Sequence, residues 1–224
     1  MADPHNTVTL LMSEFVTHDV RRFLVSRPPG FTFKAGQGVE LAINLPPWQD
    51  ERRPFTPTSL DDDGVLEFTI KRYPDHDGVT HALHTLSPGA ELLMSEPFGT
   101  ISYQGPGVFL AGGAGITPFI AILRERARAS ELDHHALIFS NKTPADIICE
   151  KELRNYLDER CILTCTEAPA PGYEQRRIDK AFLAGKIEDF DQHFYVCGPP
   201  GFMKAVNGAL EDLGARPESL VFER

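Results

Sequence analysis

Apolar and polar positions follow two different periods along this chain, and the change falls near its middle. In the first half the period is two. Residues 65–72, VLEFTIKR, place Leu66, Phe68 and Ile70 on one face and Glu67, Thr69 and Lys71 on the other. Residues 7–16, 20–27 and 38–44 are further runs rich in Val, Leu, Phe and Thr, broken by Pro28-Pro29-Gly30 and Pro46-Pro47. Asp61-Asp62-Asp63-Gly64 reads as a hairpin turn, residues 79–86 as one short helix, and ELLMSEP as a strand after the Pro88-Gly89 turn. Many short strands with frequent turns predict a small antiparallel barrel.

In the second half strands alternate with helical spacing. Strands are predicted at 108–111, 136–139, 161–165 and 193–197, and helices at 118–130, 144–158, 178–187 and 201–213. The last helix carries its apolar face on Met203, Val206, Leu210 and Leu213. Alternation of this kind gives a parallel sheet covered by helices on both sides. The boundary falls near residues 100–107, where Phe98-Gly99-Thr100 and Gly105-Pro106-Gly107 cluster.

The stretch Gly107–Thr117, GVFLAGGAGIT, joins the first of these strands to its helix. Pro118 suits a first helical turn, where its missing N–H has no intrahelical partner anyway. A glycine turn feeding a helix N-terminus offers backbone N–H groups and the positive end of a helix dipole to a phosphate. The spacing is GGxG and not GxGxxG, so the general dinucleotide pattern is not met, and such a turn can also be purely structural. Ligands of open parallel sheets bind at the carboxyl ends of the strands. The turns after Ala111 and after Cys197 both fall there.

Composition narrows the partners. The 224 residues carry a net charge of −10, which disfavours nucleic acid and anionic membranes as main partners. No stretch is long and apolar enough for membrane insertion, and the start lacks the features of a signal peptide, so a cytoplasmic location is expected. Cys149, Cys161, Cys165 and Cys197 form no CxxC and no zinc or iron–sulfur framework. Cys161 and Cys165 read as buried hydrophobes, and the scattered histidines as solvated or packed rings, so no metal site is expected.

Three motifs stand in order: Arg53-Pro54-Phe55-Thr56 on a barrel strand, Gly112-Gly113-Ala114-Gly115-Ile116-Thr117-Pro118 after the first α/β strand, and Cys197-Gly198-Pro199-Pro200 after the last strong one. Together they resemble the ferredoxin–NADP reductase superfamily, in particular its flavodoxin-reductase and oxygenase-reductase-like members. The resemblance runs from Phe33-Lys34-Ala35-Gly36-Gln37 to Phe222-Glu223. It implies two domains: an N-terminal antiparallel six-stranded β-barrel that binds flavin (residues 1–102), then an α/β doubly wound parallel-sheet domain that binds NAD(P) (residues 103–224).

By that resemblance Arg53 is a donor fork for a flavin pyrophosphate, and Pro54 shares its strand. Phe55 lies against the isoalloxazine, in place of the family's Tyr, or is an ordinary barrel-core residue. Thr56 offers its hydroxyl near flavin N5. A second phosphate contact maps to Asp77-Gly78-Val79-Thr80. Lys71 and Tyr73 lie by the ribityl chain or adenosine, or else form a solvated strand end. In the second domain Gly112, Gly113, Gly115 and Thr117 resemble the loop around the nicotinamide dinucleotide's pyrophosphate. Cys197, with Gly198 and Pro199, resembles the turn facing nicotinamide C4. Glu223 resembles a carboxylate near the flavin, although many relatives continue with an aromatic residue beyond it. The implied catalytic residues are Thr56, Cys197 and Glu223.

The implied cofactor is FAD rather than FMN, with NADPH or NADH as co-substrate. The end of the second strand reads Ser140-Asn141-Lys142-Thr143. It has no carboxylate for a ribose 2′-OH, so Ser140 and Lys142 turn the expectation toward NADPH. The implied activity moves electrons between NAD(P)H, FAD and a separate acceptor: flavodoxin, ferredoxin or an oxygenase component. The alternative is a flavin-containing electron-transfer subunit without turnover of its own. Arg21, Arg22, Lys34, Arg52, Lys71 and Arg72 are available near the barrel to dock an acidic carrier, or are spread over several faces.

Overall fold

A computed structural model of the protein describes residues 5–73, 78–99, 101–216 and 220–222. The chain divides into two compact units, Met1–Thr100 and Ile101–Arg224.

The first unit carries strands β1 (His5–Phe15), β2 (Val20–Ser26), β3 (Val39–Ile43), β4 (Arg53–Phe55), β5 (Val65–Lys71) and β6 (Glu91–Ser95), with one short helix, α1 (Val79–Leu83). They form one antiparallel sheet in the order β4-β3-β6-β1-β2-β5. The turn at Asp61–Gly64 folds the chain after β4 back onto β5, where the Thr58 amide donates to the Glu67 carbonyl at 2.7 Å. A bridge between Pro57 and Phe68 accompanies it, and the sheet thereby becomes a nearly closed six-stranded barrel. Inward positions of the alternating strands, among them Val8, Phe23, Leu41, Leu66 and Phe68, make the core, and α1 adds Val79 and Leu83. Pro54 is tolerated because β4 is the end strand of the sheet, where a missing N–H breaks no central ladder.

The second unit carries β7 (Gly107–Gly112), α2 (Thr117–Arg128), β8 (Ala136–Asn141), α3 (Glu150–Leu157), β9 (Cys161–Cys165), α4 (Lys180–Lys186), β10 (His193–Cys197), α5 (Pro200–Asp212) and β11 (Leu220–Phe222). The sheet is parallel, in the order β11-β10-β7-β8-β9. One core joins Leu110, Ile138, Phe194 and Val196 to Phe182 and Leu183 of α4 and Val206 and Leu210 of α5. Neighbouring strand positions face the other way, where Phe109 meets Phe119 of α2 at 5.0 Å. Arg124 of α2 and Glu152 of α3 form a bidentate pair at 2.6 and 3.0 Å.

Three expectations need correction. The sheet has five strands rather than four, because β11 pairs with β10. The helix expected at 144–158 is interrupted. A 3-10 turn at Pro144–Asp146 is closed by a Thr143–Asp146 capping box, and Cys149 then adopts the left-handed region, φ 54°, before α3 begins. The helix expected at 79–86 stops at Leu83. Cys161 and Cys165 are buried as expected, and burial pushes the Cys161 thiol up to about 11.

The segment entering β7 is fastened to the sheet by Tyr195. Its hydroxyl donates to the Gly105 carbonyl at 2.7 Å and accepts from the Gln104 and Gly105 amides at 2.9 and 3.0 Å. One donor and two lone pairs are all used.

Candidate functional site

Strand order reverses between β7 and β10, and both strands end there in glycine-containing turns. β7 runs into a 3-10 turn, Gly113–Ile116, and then α2. β10 ends at Cys197 and leads through Gly198 and Pro199 into α5. The two turns are packed backbone against backbone. A Cβ built on Gly115 would lie 2.5 Å from the Cys197 carbonyl carbon and 2.6 Å from the Gly198 Cα. A Cβ on Gly198 would strike the Phe202 ring at 2.8 Å, and one on Gly112 would meet the same ring at 3.0 Å. Gly113 differs: the space beside it is open, but its φ of +53° favours glycine. Gly115 and Gly198 are thus demanded by close approach, Gly112 sits tightly against the Phe202 ring, and Gly113 is favoured by its backbone angle.

This packing aims two helix N-termini at the crevice. α2 and α5 are 12 and 13 residues long, and neither has a side-chain cap or an acidic residue in its first turn; the 3-10 turn before α2 also lacks both. Uncapped N-terminal N–H groups at a topological switch point, with no carboxylate to oppose an anion, fit a pyrophosphate. Thr117 is half-buried at the start of α2, and Cys197 is buried at the end of β10. Phe202, the shared wall of Gly112 and Gly198, was missing from the apolar face read off α5. It lies one position before Met203 and packs toward the turns, so helical periodicity alone does not single it out.

At the end of β8, Ser140 is half-buried and Lys142 exposed. The Lys142 ammonium lies 3.4 Å from the Glu167 carboxylate beyond β9. The Glu167 amide donates to the Lys142 carbonyl at 2.9 Å, which holds the two loops together. A carboxylate therefore stands at this corner, supplied by a position 25 residues after Lys142 that the end of the second strand does not reveal.

In the barrel, Arg53 and Pro54 are exposed on β4, and Thr56 is half-buried just after it. The Arg53 guanidinium contacts Glu51 at 3.0 Å and the Arg52 carbonyl at 2.7 Å. Both charged partners are about half exposed, so the pair holds the fork weakly. Phe55 packs partly against the barrel core, as a barrel-core residue would. Gly78 is extended at the start of α1, Val79 is buried in the core, and Thr80 is half-buried. Lys71 is committed to Asp19 at 2.8 Å, and this partner holds the Asp19 carboxyl below its ordinary value despite burial that acts the other way. Tyr73 is exposed. Asp77 and Glu223 lie outside the described residues.

Three of the six basic residues proposed for docking are matched by carboxylates. Arg22 pairs with Glu14 at 3.1 Å and Glu67 at 3.5 Å, Arg52 with Glu40 at 3.9 Å, and Lys71 with Asp19. No helix among the described residues is long and apolar enough to cross a membrane.

A barrel followed by a doubly wound sheet, with a phosphate-ready switch point, defines a two-domain flavin and nicotinamide oxidoreductase. The match to known families agrees. Residues 7–103 fit the oxidoreductase FAD-binding domain and residues 109–208 the oxidoreductase NAD-binding domain. The chain belongs to the ferredoxin–NADP reductase superfamily, a family of NAD(P)H-dependent flavin oxidoreductases. It is 30% identical to the NADH-cytochrome b5 reductase 2-A of Vanderwaltozyma polyspora, over 87% of this chain and 71% of that protein. It is 25% identical to the ferredoxin–NAD(P)(+) reductase component of the naphthalene 1,2-dioxygenase system of Pseudomonas putida, over 95% of this chain and 66% of that one. Its fold matches the flavohem-like FAD/NAD-binding domain of a Vibrio cholerae nitric oxide dioxygenase, with a TM-score of 0.87, 20% identity, and coverage of 99% and 98%. It also matches a ferredoxin NADP+ reductase from Neisseria gonorrhoeae with bound FAD and NADP, with a TM-score of 0.81, 23% identity, and coverage of 94% and 92%.

Proposed function

We propose that this protein oxidises a reduced nicotinamide dinucleotide through FAD and delivers the electrons one at a time to a protein-borne acceptor. The observation that carries this reading is the pair of uncapped, carboxylate-free helix N-termini held at the β7–β10 crevice by glycine-on-backbone packing. When bound, FAD supplies the exchange between two-electron hydride chemistry and one-electron transfer.

The chain's own residues orient the reactants. Gly113, the 3-10 turn and Thr117 receive the dinucleotide pyrophosphate. Cys197, small and buried, ends β10 beside that turn and leaves room for a flat ring. On the barrel, Arg53 releases Glu51 to take a flavin phosphate, and the Gly78–Thr80 turn takes another. The Thr56 hydroxyl serves the flavin's reactive edge. Residues 1–102 and 103–224 are the flavin and nicotinamide modules in this reading.

For the coenzyme, the partnership of Lys142 with Glu167 reverses the sequence-based preference for NADPH. A 2′-phosphate would meet the Glu167 carboxylate beside Lys142, in an exposed pair that holds the lysine only weakly, whereas a free 2′-OH can donate to that carboxylate. NADH is therefore the proposed co-substrate. For the acceptor, a ferredoxin, an oxygenase component or a small haem protein fits a chain without an iron–sulfur framework of its own. An acceptor drawn in mainly by barrel charge fits less well, because Arg22, Arg52 and Lys71 already have carboxylate partners. The same features suit a subunit that works only inside a larger complex.

The test is purification followed by absorbance and turnover. A yellow protein that reduces ferricyanide with NADH supports the reading. A chain that takes up no FAD overturns it. Flavin binding without ferricyanide turnover moves the assignment to the subunit alternative.

A further inference from the structure

His84 stitches α1 to the barrel. Its Nε2–H donates to the Ile70 carbonyl on β5 at 2.8 Å, and its own carbonyl accepts from Arg21 Nη1 on β2 at 3.0 Å. The ring meets Phe23 of the barrel core edge-on at 5.5 Å, and the residue is 7% exposed. A carbonyl acceptor requires the proton on Nε2, which fixes the tautomer of the neutral ring. α1 has only five residues, too few to stand as a helix without tertiary support. Its place is set by Val79 and Leu83 in the core and by His84 at its end. The segment Gly78-Val79-Thr80 is the other end of the same short helix.

We infer that His84 is a positioning residue for FAD: through its Nε2–H bond to the Ile70 carbonyl it holds α1, and with it the Gly78–Thr80 turn, where the flavin phosphate is received. This rests on the assignment of that turn under the proposed function.

Acid acts on this stitch through the cost of charging a buried ring beside two guanidiniums, since the imidazolium keeps the Nε2–H donor. The charged groups facing the ring are Arg21 of β2, Arg72 after β5 and Asp19 of the β1–β2 connection, the last already tied to Lys71. His81 is the other titratable group on α1. Burial foremost, then the two guanidiniums, keep His84 below the ordinary histidine value of 6.5, against the Ile70 bond and Asp19. Because the folded value is depressed, the unfolded chain takes up its proton first. The contribution of His84 is therefore whole above pH 6.5, is lost as pH falls through 6.5 toward the depressed value, and levels off below it.

The experiment strips the flavin and titrates FAD back by fluorescence quenching, at pH 7.5 and at pH 5.5, with circular dichroism as the check on folding. Wild-type affinity should weaken at the lower pH in step with the fraction of molecules whose α1 is loosened. His84→Leu, which lacks the donor, should weaken binding about tenfold at pH 7.5, the scale of one lost buried hydrogen bond. His84→Gln, which keeps an N–H donor and cannot titrate, should bind within about threefold of wild type at pH 7.5. It should also lose most of the acid sensitivity. If His84→Leu does not fold, the wild-type and His84→Gln pH comparison decides. Wild-type affinity in His84→Leu, or undiminished acid sensitivity in His84→Gln, overturns the inference. Thr80→Ala separates the two levels. Weakened FAD binding in Thr80→Ala with none in His84→Leu removes only the positioning role, whereas unchanged binding in Thr80→Ala removes the turn assignment itself.

Discussion

Gly115 and Cys197 meet backbone to backbone, with no space between them for a side chain. The contact ties the turn after β7 to the turn after β10, so any atom added at Gly115 must push the two strand ends apart. Gly115→Ala should therefore destabilise the second unit by about 1–3 kcal/mol, the range for overpacking a closed site. It should also weaken NADH binding more than FAD binding. Calorimetric titration of both ligands measures the difference, and an equal loss of both would assign the effect to general unfolding.

Arg53→Ala should raise the FAD dissociation constant by about ten- to a hundredfold, in line with about 1.5–3 kcal/mol for a hydrogen bond to a charged group. Glu51→Gln frees the same guanidinium from its present partner and should leave FAD affinity unchanged or slightly tighter. Equilibrium dialysis of the two variants checks both directions. Full FAD retention by Arg53→Ala would remove Arg53 from the site.

Cys197→Ser should keep its FAD and slow flavin reduction by NADH by about tenfold, if the residue makes room for the nicotinamide ring at the end of β10, since a 1.4 kcal/mol change in barrier is a factor of ten. Rapid mixing under anaerobic conditions reads the rate directly. An unchanged rate would leave Cys197 as a packing residue at the end of β10.

Glu167→Gln should shift coenzyme preference toward NADPH, because it removes the carboxylate and leaves Lys142 unopposed. Lys142→Gln should shift it the other way. The ratio of kcat/KM for the two coenzymes is the measurement. A ratio unmoved by either change would place the 2′ position of the coenzyme elsewhere.

Much of this arrangement was legible in the residues. The period-two and alternating halves located β5, β7 and β10, and the glycine and Cys-Gly-Pro-Pro turns were placed on strand ends from their neighbours alone. What escaped depended on partners distant in sequence. Phe202 is recognisable as the wall of the turns only once Gly112 and Gly198 lie against it. Glu167 acquires its meaning from Lys142 across two loops, and His84 from a carbonyl on a strand that precedes it. β11 is three residues long, too short for periodicity to register, and it exists by pairing with β10. The break before α3 follows from the left-handed turn at Cys149, which no local composition demands.

The three hydrogen bonds of the Tyr195 hydroxyl bear on how such a module can be cut and recombined. They bind residues 104 and 105 into the sheet of the second unit, so the approach to β7 is part of that unit's architecture rather than slack tether. A chimera spliced just before Gly107 would rebuild those backbone partners on foreign residues, which must reproduce the turn at Gly105, φ 144°, for the phenol to keep them. One spliced at residue 101 would carry them along. Exchange of this unit among reductases should therefore succeed or fail over a stretch of six residues, and Tyr195→Phe should make the two splice points equivalent.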